Sequence, residues 1–160
     1  MISIKNKTTL NLILLFSIIA LLTAYFIQYV LGHQPCNLCL IERIPYILTI
    51  IIITLILIFK KFEKVFLLLL TLIFVAATLI SFYHFGIEQG FIKESLVCDL
   101  KVQTNSLTKE DLLKELKTKT ISCKDVTFKI IGLSLASINI IISLILSVIT
   151  LKLFLNYEKN

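Results

Sequence analysis

Residues 10–31 read LNLILLFSIIALLTAYFIQYVL, twenty-two positions without a single charge. As a helix rising about 1.5 Å per residue, this stretch covers roughly 33 Å, enough to cross a hydrocarbon core of about 30 Å. It is too long for the apolar core of a signal peptide, and no small-residue cleavage site follows it, so it reads as a retained helix. Three further stretches repeat the pattern, at about 40–59, 65–85 and 128–155. The second opens with Glu42, Arg43 and Pro45. A proline in the first helical turn costs little, because early N–H groups have no intrahelical partner. The fourth carries Lys129 and Lys152 near its ends, where long side chains can reach out of lipid.

The rest of the chain agrees. Of its 160 residues 58% are hydrophobic and the mean hydropathy is +0.96, whereas a soluble domain is about 45–50% apolar. The expected architecture is a single membrane domain over 1–160: an all-α bundle of four transmembrane helices. The net charge of +6 is gathered in short clusters between uncharged runs. No basic patch interleaved with aromatics accompanies it, so the pattern points to membrane topology and lipid rather than to nucleic acid. Trp is absent, which leaves Tyr and Phe to form any interfacial belt.

Basic residues in short flanks set the orientation. Lys5 and Lys7 precede the first span, Lys60, Lys61 and Lys64 join the second to the third, and Lys152 and Lys159 end the fourth. The loop 32–39 is followed only by Arg43. Both termini are therefore expected in the cytoplasm, with the loops 32–39 and 86–127 outside. In the long loop, Thr108, Lys109, Glu110 and Asp111 resemble a capping box, and Leu112, Leu113 and Leu116 form a stripe opposite Lys114, Glu115 and Lys117. A short amphipathic helix is expected over 109–119, either lying on the membrane surface or packing on its own loop.

All four cysteines fall in or beside these two outer loops: Cys36 and Cys39 at the first, Cys98 and Cys123 in the second. An oxidising compartment favours disulfide chemistry. Cys36-Asn37-Leu38-Cys39 has the Cys-x-x-Cys spacing, and a staple across two residues constrains too little chain to be worth much as structure. Its use is therefore redox. A helix starting at this pair would also lower the thiolate pKa. Twenty-four residues separate Cys98 from Cys123. That spacing suits a structural tie as well as a redox bond, but two disulfides on one face allow exchange in series. Four thiolates can also hold zinc; the second couple lacks zinc-ligand spacing, so no metal is expected.

Arg43 lies one helical turn after Cys39 and is the only Arg beside fifteen Lys. An interfacial anchor explains a cation here, but not the choice of Arg. A planar, permanently charged fork can hold a carbonyl oxygen that gains negative charge. His84, after Phe82 and Tyr83 at the outer end of the third span, can donate to such an oxygen, pass a proton, or be a satisfied interfacial residue. His33 can raise the thiolate fraction of Cys36 or be a solvated loop residue.

Pro35-Cys36-Asn37-Leu38-Cys39-Leu40-Ile41-Glu42-Arg43 resembles the signature of the disulfide bond formation protein B (DsbB) family of bacterial inner-membrane thiol oxidases. Tyr83-His84-Phe85-Gly86-Ile87-Glu88-Gln89-Gly90 resembles the region after that family's third helix. Ser122 to Val126, with Gly132 to Ala136 and Asn139, resembles the start of its fourth. The likeness covers most of the chain. It departs in having no Trp, in using Lys for many Arg, and in a Lys-rich segment between Cys98 and Cys123.

The resemblance implies a multi-pass protein of the bacterial inner membrane. Such a protein oxidises a periplasmic DsbA-like dithiol protein and passes two electrons to ubiquinone or menaquinone. It implies that Cys36 and Cys39 sit next to the quinone and that Cys98 and Cys123 exchange with the partner. Cys98 would take the mixed disulfide and Cys123 would relay to Cys36, while Arg43, and His84 near it, would serve the quinone site. The rival from another class is a membrane scaffold or metal-binding subunit whose disulfides are only staples.

Overall fold

A computed structural model describes residues 4–59, 62–93, 98, 123–124, 129–130 and 132–158. In chain order the elements are α1 (Ile4–Tyr29), α2 (Asn37–Ile41), α3 (Ile44–Ile58), α4 (Glu63–Glu88), β1 (Lys129–Ile130), β2 (Leu133–Ser134) and α5 (Leu135–Glu158). The stretch predicted as an amphipathic helix, 109–119, lies outside the described residues, as do Lys60 and Lys61.

Among the described residues four segments are long and apolar enough to cross a membrane: α1, α2 with α3 taken together, α4 and α5. They form an all-α four-helix membrane bundle. The most extensive packing is α4 against α5, and α3 lies against both α1 and α4. The core draws on every span, with Leu10 and Ile13 from α1, Ile53 and Ile56 from α3, Leu70 and Phe74 from α4, and Leu146 and Leu153 from α5.

The outward faces are as apolar as the core. Leu22 is 63% exposed, Leu79 66% and Leu144 54%, within a girdle of exposed Leu, Ile, Val and Phe. Helices that are hydrophobic all round belong in lipid. Lipid offers polar groups no hydrogen bonds, so the buried hydroxyls bond inside the protein. Ser17, Thr49, Thr71 and Thr150 each donate to the carbonyl one turn back. Asn139 of α5 donates to Ser81 of α4 at 2.7 Å and accepts from the Tyr46 hydroxyl of α3 at 2.5 Å, so one amide ties three helices. At the other end of the bundle Lys64 sits 5.8 Å over the Phe154 ring, joining the start of α4 to the end of α5.

Two boundaries differ from the expectation. The second span, expected as one helix from 40, breaks at Glu42 and Arg43. Glu42 N–H still bonds Leu38 O at 2.9 Å, but Arg43 N–H turns to Leu40 O at 3.2 Å. Pro45, which has no N–H to give to Ile41, lies just inside the start of α3. The fourth span, expected from 128, begins at Leu135. Before it the chain makes a hairpin pairing Lys129 with Ser134 and Ile130 with Leu133. Gly132 at φ +81° supplies the turn, a conformation that a helix interior cannot use. Ser134 Oγ then accepts from Ser137 N–H at 3.2 Å and caps α5.

Candidate active site

Pro35 and Cys36 bring the chain from the loop into α2. Cys36 is the N-cap: its backbone is extended, and its sulfur accepts from Cys39 N–H at 3.3 Å. One short turn of helix thus sets the two sulfurs side by side, 2.6 Å apart, both as thiols. The sequence expectation placed the start of a helix at this pair, and that is where it lies.

Behind Cys36 stands His84, from the end of α4. Its Nε2 is 3.5 Å from Cys36 Sγ, its Nδ1 is 2.9 Å from Glu42 Oε1, and the residue is 2% exposed. Glu88, one turn further along α4, places Oε1 3.8 Å from His84 Nε2. A thiol, an imidazole and a carboxylate in line form the arrangement that generates thiolates. The Cys36 thiol is lowered to about 5. The chief cause is the hydrogen bond from the Cys39 thiol; the hydrogen bond and charge of His84 add to it, and burial opposes both.

Cys98 and Cys123 are joined as a disulfide. Both are buried in one cluster with Cys36, Leu38 and Ile87, against which Cys39, Ile41 and Tyr83 pack. The structure therefore brings all four predicted cysteines to one end of the bundle. The turn that ends α4 depends on Gly90 at φ +77°, and Phe91 and Ile92 N–H groups fold back onto Gly86 O at 2.9 and 3.1 Å. Gly86 lets Ile92 pack close, because a β-carbon there would meet Ile92 Cδ1 at 2.7 Å.

On the opposite side of the dithiol, a cavity of about 340 Å³ opens between α1, α3 and α5. Phe16, Ile19, Ala20, Ile27, Ile138 and Ile142 make its walls, and Cys39, Glu42, Arg43, Tyr46 and Asn139 give it a polar end. Arg43 is held there from α1. It donates to Gln28 Oε1 at 2.6 Å and stacks its guanidinium 5.1 Å over the Tyr25 ring. His33 also lines the cavity.

The predicted site residues thus divide. Cys39 and Arg43 line the cavity; His84, expected near the same ligand, stands on the far side of the dithiol against Cys36. Glu42 does both, lining the cavity and bonding His84. In the sequence Glu42 stands out only as a neighbour of Arg43. The only local signal for Glu88 was its i, i+4 spacing from His84. Cys36 Sγ, Cys39 Sγ and a ring nitrogen of His84 lie within 4.8 Å of one another.

A buried dithiol with an acid–base partner, packed in one cluster with a disulfide at one end of a four-helix membrane bundle, defines a membrane-embedded thiol–disulfide oxidoreductase. Residues 6–153 match the family described as Disulfide bond formation protein DsbB, and the chain belongs to that family. It is also 33% identical over 154 residues to an uncharacterised protein of Rickettsia prowazekii (strain Madrid E), covering 94% of this chain and 89% of that protein. No solved structure matches it.

Proposed function

We propose that this chain oxidises a periplasmic, DsbA-like dithiol protein of thioredoxin fold by serial disulfide exchange and delivers the two electrons to a membrane quinone, ubiquinone or menaquinone. The observation that carries this reading is the placement of Cys39: it belongs to the dithiol and also lines the apolar cavity that holds Arg43.

The cavity fits a quinone. Its walls suit a flat apolar ring and an isoprenoid tail, while the Arg43 guanidinium and the Asn139 amide N–H2 carry donors for ring oxygens. Such a quinone, when bound, supplies a two-electron, two-proton acceptor. The chain's own residues do the rest. Cys98 takes the mixed disulfide as the partner's thiolate attacks the Cys98–Cys123 bond. The Cys123 thiolate so freed attacks Cys36, forming a Cys123–Cys36 disulfide and releasing Cys39 as thiolate. The partner's second thiolate then displaces Cys98 and leaves as the oxidised partner, and the Cys98 thiolate attacks Cys123, closing Cys98–Cys123 again and releasing Cys36, so that the first pair is reduced. His84, steadied by Glu42, keeps Cys36 as thiolate, and Arg43 places a fixed positive charge where negative charge develops beside Cys39.

The orientation belongs to the same proposal: both termini and the Lys60–Lys64 link lie in the cytoplasm, and the cysteine end faces the periplasm across the inner membrane. Purified protein, given a reduced thioredoxin-fold partner and a short-chain quinone, should bleach quinone absorbance. Cys36→Ser and Cys39→Ser should abolish that signal, and normal turnover in either variant would sink the scheme. Labelling intact cells with an impermeant maleimide after reduction checks the orientation: cysteines that react only once the membrane is opened refute it.

A further inference from the structure

Cys36 faces acid–base groups rather than the cavity. Glu88 is the member of this group that the exchange scheme leaves unused. Its side chain is 6% exposed, and the Ser134 hydroxyl lies against it. Its Oε2 is the one buried side-chain oxygen or nitrogen without a hydrogen-bond partner among the described residues.

Among the described residues, the titratable groups facing Glu88 are His84, Glu42 and Cys36, and those facing Cys36 are Cys39 and His84. Fully ionised, Cys36, Glu42 and Glu88 would set three negative charges around one imidazolium. Arg43 does not relieve them, since its guanidinium is turned to Gln28 and Tyr25. Away from water such an excess is unfavourable, and like charges sharing a site keep a proton on one of them. Glu42 holds the 2.9 Å contact to the imidazole. Glu88, at 3.8 Å and with an oxygen to spare, is where the proton goes. Closing Cys36 and Cys39 into a disulfide removes the thiolate charge, and Glu88 can then ionise against the imidazolium.

We propose that Glu88 is a redox-linked proton store, protonated while Cys36 is a thiolate and ionised once Cys36 and Cys39 are joined. This rests on the reading of Cys36 and Cys39 as the electron-donating pair. In the step, a Cys36 thiolate, a Cys39 thiol and a protonated Glu88 become a disulfide and an ionised Glu88. Two electrons and two protons leave for a two-electron, two-proton acceptor of the quinone class. One proton comes from Cys39 and the other from Glu88, so neither has to be fetched from water as the electrons move.

The test needs no quinone. Full-length protein in detergent is poised in dithiothreitol redox buffers at several values between about pH 6 and pH 8, a range spanning neutrality. The Cys36/Cys39 couple is read by differential alkylation and mass spectrometry of its own peptide. The pH dependence of its midpoint potential should correspond to about two protons per two electrons in the unaltered protein and about one in Glu88→Gln, with Glu88→Asp returning toward two. Two protons in Glu88→Gln, or a halved slope in Glu42→Gln in its place, overturns the proposal. Should Glu88→Gln fail to fold, the infrared reduced-minus-oxidised spectrum of the unaltered protein decides: a protonated-carboxyl band must grow on reduction, and its absence overturns the assignment. A Cys36/Cys39 pair that never changes redox state would instead refute the underlying oxidoreductase scheme.

Discussion

The two cysteine couples share one buried cluster but are built on different principles. Cys36 and Cys39 are fixed by a helix turn at the mouth of a span, with an imidazole and two carboxyls behind them and an apolar cavity in front. Cys98 and Cys123 come from the stretch of chain between α4 and β1, and a disulfide joins them. The first couple has its chemistry supplied by its surroundings; the second supplies reach. In the proposed exchange, rigid geometry serves the small acceptor in the membrane, and a loop serves the large, variable partner outside it.

The sharpest way to break this contrast is to remove one sulfur at a time. Cys36→Ser or Cys39→Ser should lower quinone reduction by at least about a thousandfold with any thiol donor, because the only route past the dithiol is gone. Cys98→Ser should stop turnover with the protein partner while a small dithiol, able to reach the first couple directly, still drives quinone reduction. Stopped-flow absorbance with both donors measures the difference. Equal losses for both donors would mean that the couples are not specialised.

Arg43 tests the cavity side. Arg43→Lys keeps the charge but loses the planar fork, its stack on Tyr25 and its bond to Gln28. The apparent KM for quinone should rise about tenfold, a loss of roughly 1.4 kcal/mol. Exchange between the partner and Cys98–Cys123 should keep its rate. An unchanged KM would remove Arg43 from the site.

His84 tests the other side. Its hydrogen bond and charge are among the causes that lower the Cys36 thiol to about 5, after the bond from Cys39. A lowered value means that the thiolate persists as pH falls and is lost only near pH 5, so alkylation of the reduced pair should stay fast down to about that pH. His84→Gln removes the positive charge and moves the midpoint upward. At mildly acidic pH, the alkylation rate should then fall by about tenfold for each unit of the move. A pH–rate profile with iodoacetamide reads this, and an unmoved midpoint would show that the neighbouring thiol acts alone.

The spans and the dithiol were legible from the sequence because their signals are local. Long uncharged runs mean lipid, and Cys-x-x-Cys before such a run means two sulfurs at a helix start. Residues 42–45 and Gly132 held the boundary information too, but the apolar runs around them were strong enough to hide a break of one or two residues. The acid–base cluster could not be read this way. Cys36 and His84 are 48 residues apart, and Glu42 reaches His84 across 42. Only the packing of α4 against the start of the second span decides that they meet. Arg43 stood out as the lone Arg, whereas Gln28 and Tyr25, which hold it, carried no sign of that role.

The smallest expected effect sharpens the contrast at the hinge between the two couples. Gly86 lies within α4, and Ile92 folds back over it as the chain turns toward Cys98. Gly86→Ala places a methyl carbon 2.7 Å from Ile92 Cδ1, closer than such contacts tolerate. Ile92 must swing outward, at a cost of about 1–2 kcal/mol, as overpacked sites show. A shift of a few degrees in detergent thermal unfolding should report it. Ile92 precedes Cys98 by six residues in the chain, whereas Cys36 lies on another segment. Transfer between the couples should therefore slow by a few-fold while reduction of quinone by a small dithiol holds. If both slow together, Ile87, which is buried beside Cys36 on the same turn, has moved as well, and the loop couple is less independent of the dithiol than its construction suggests.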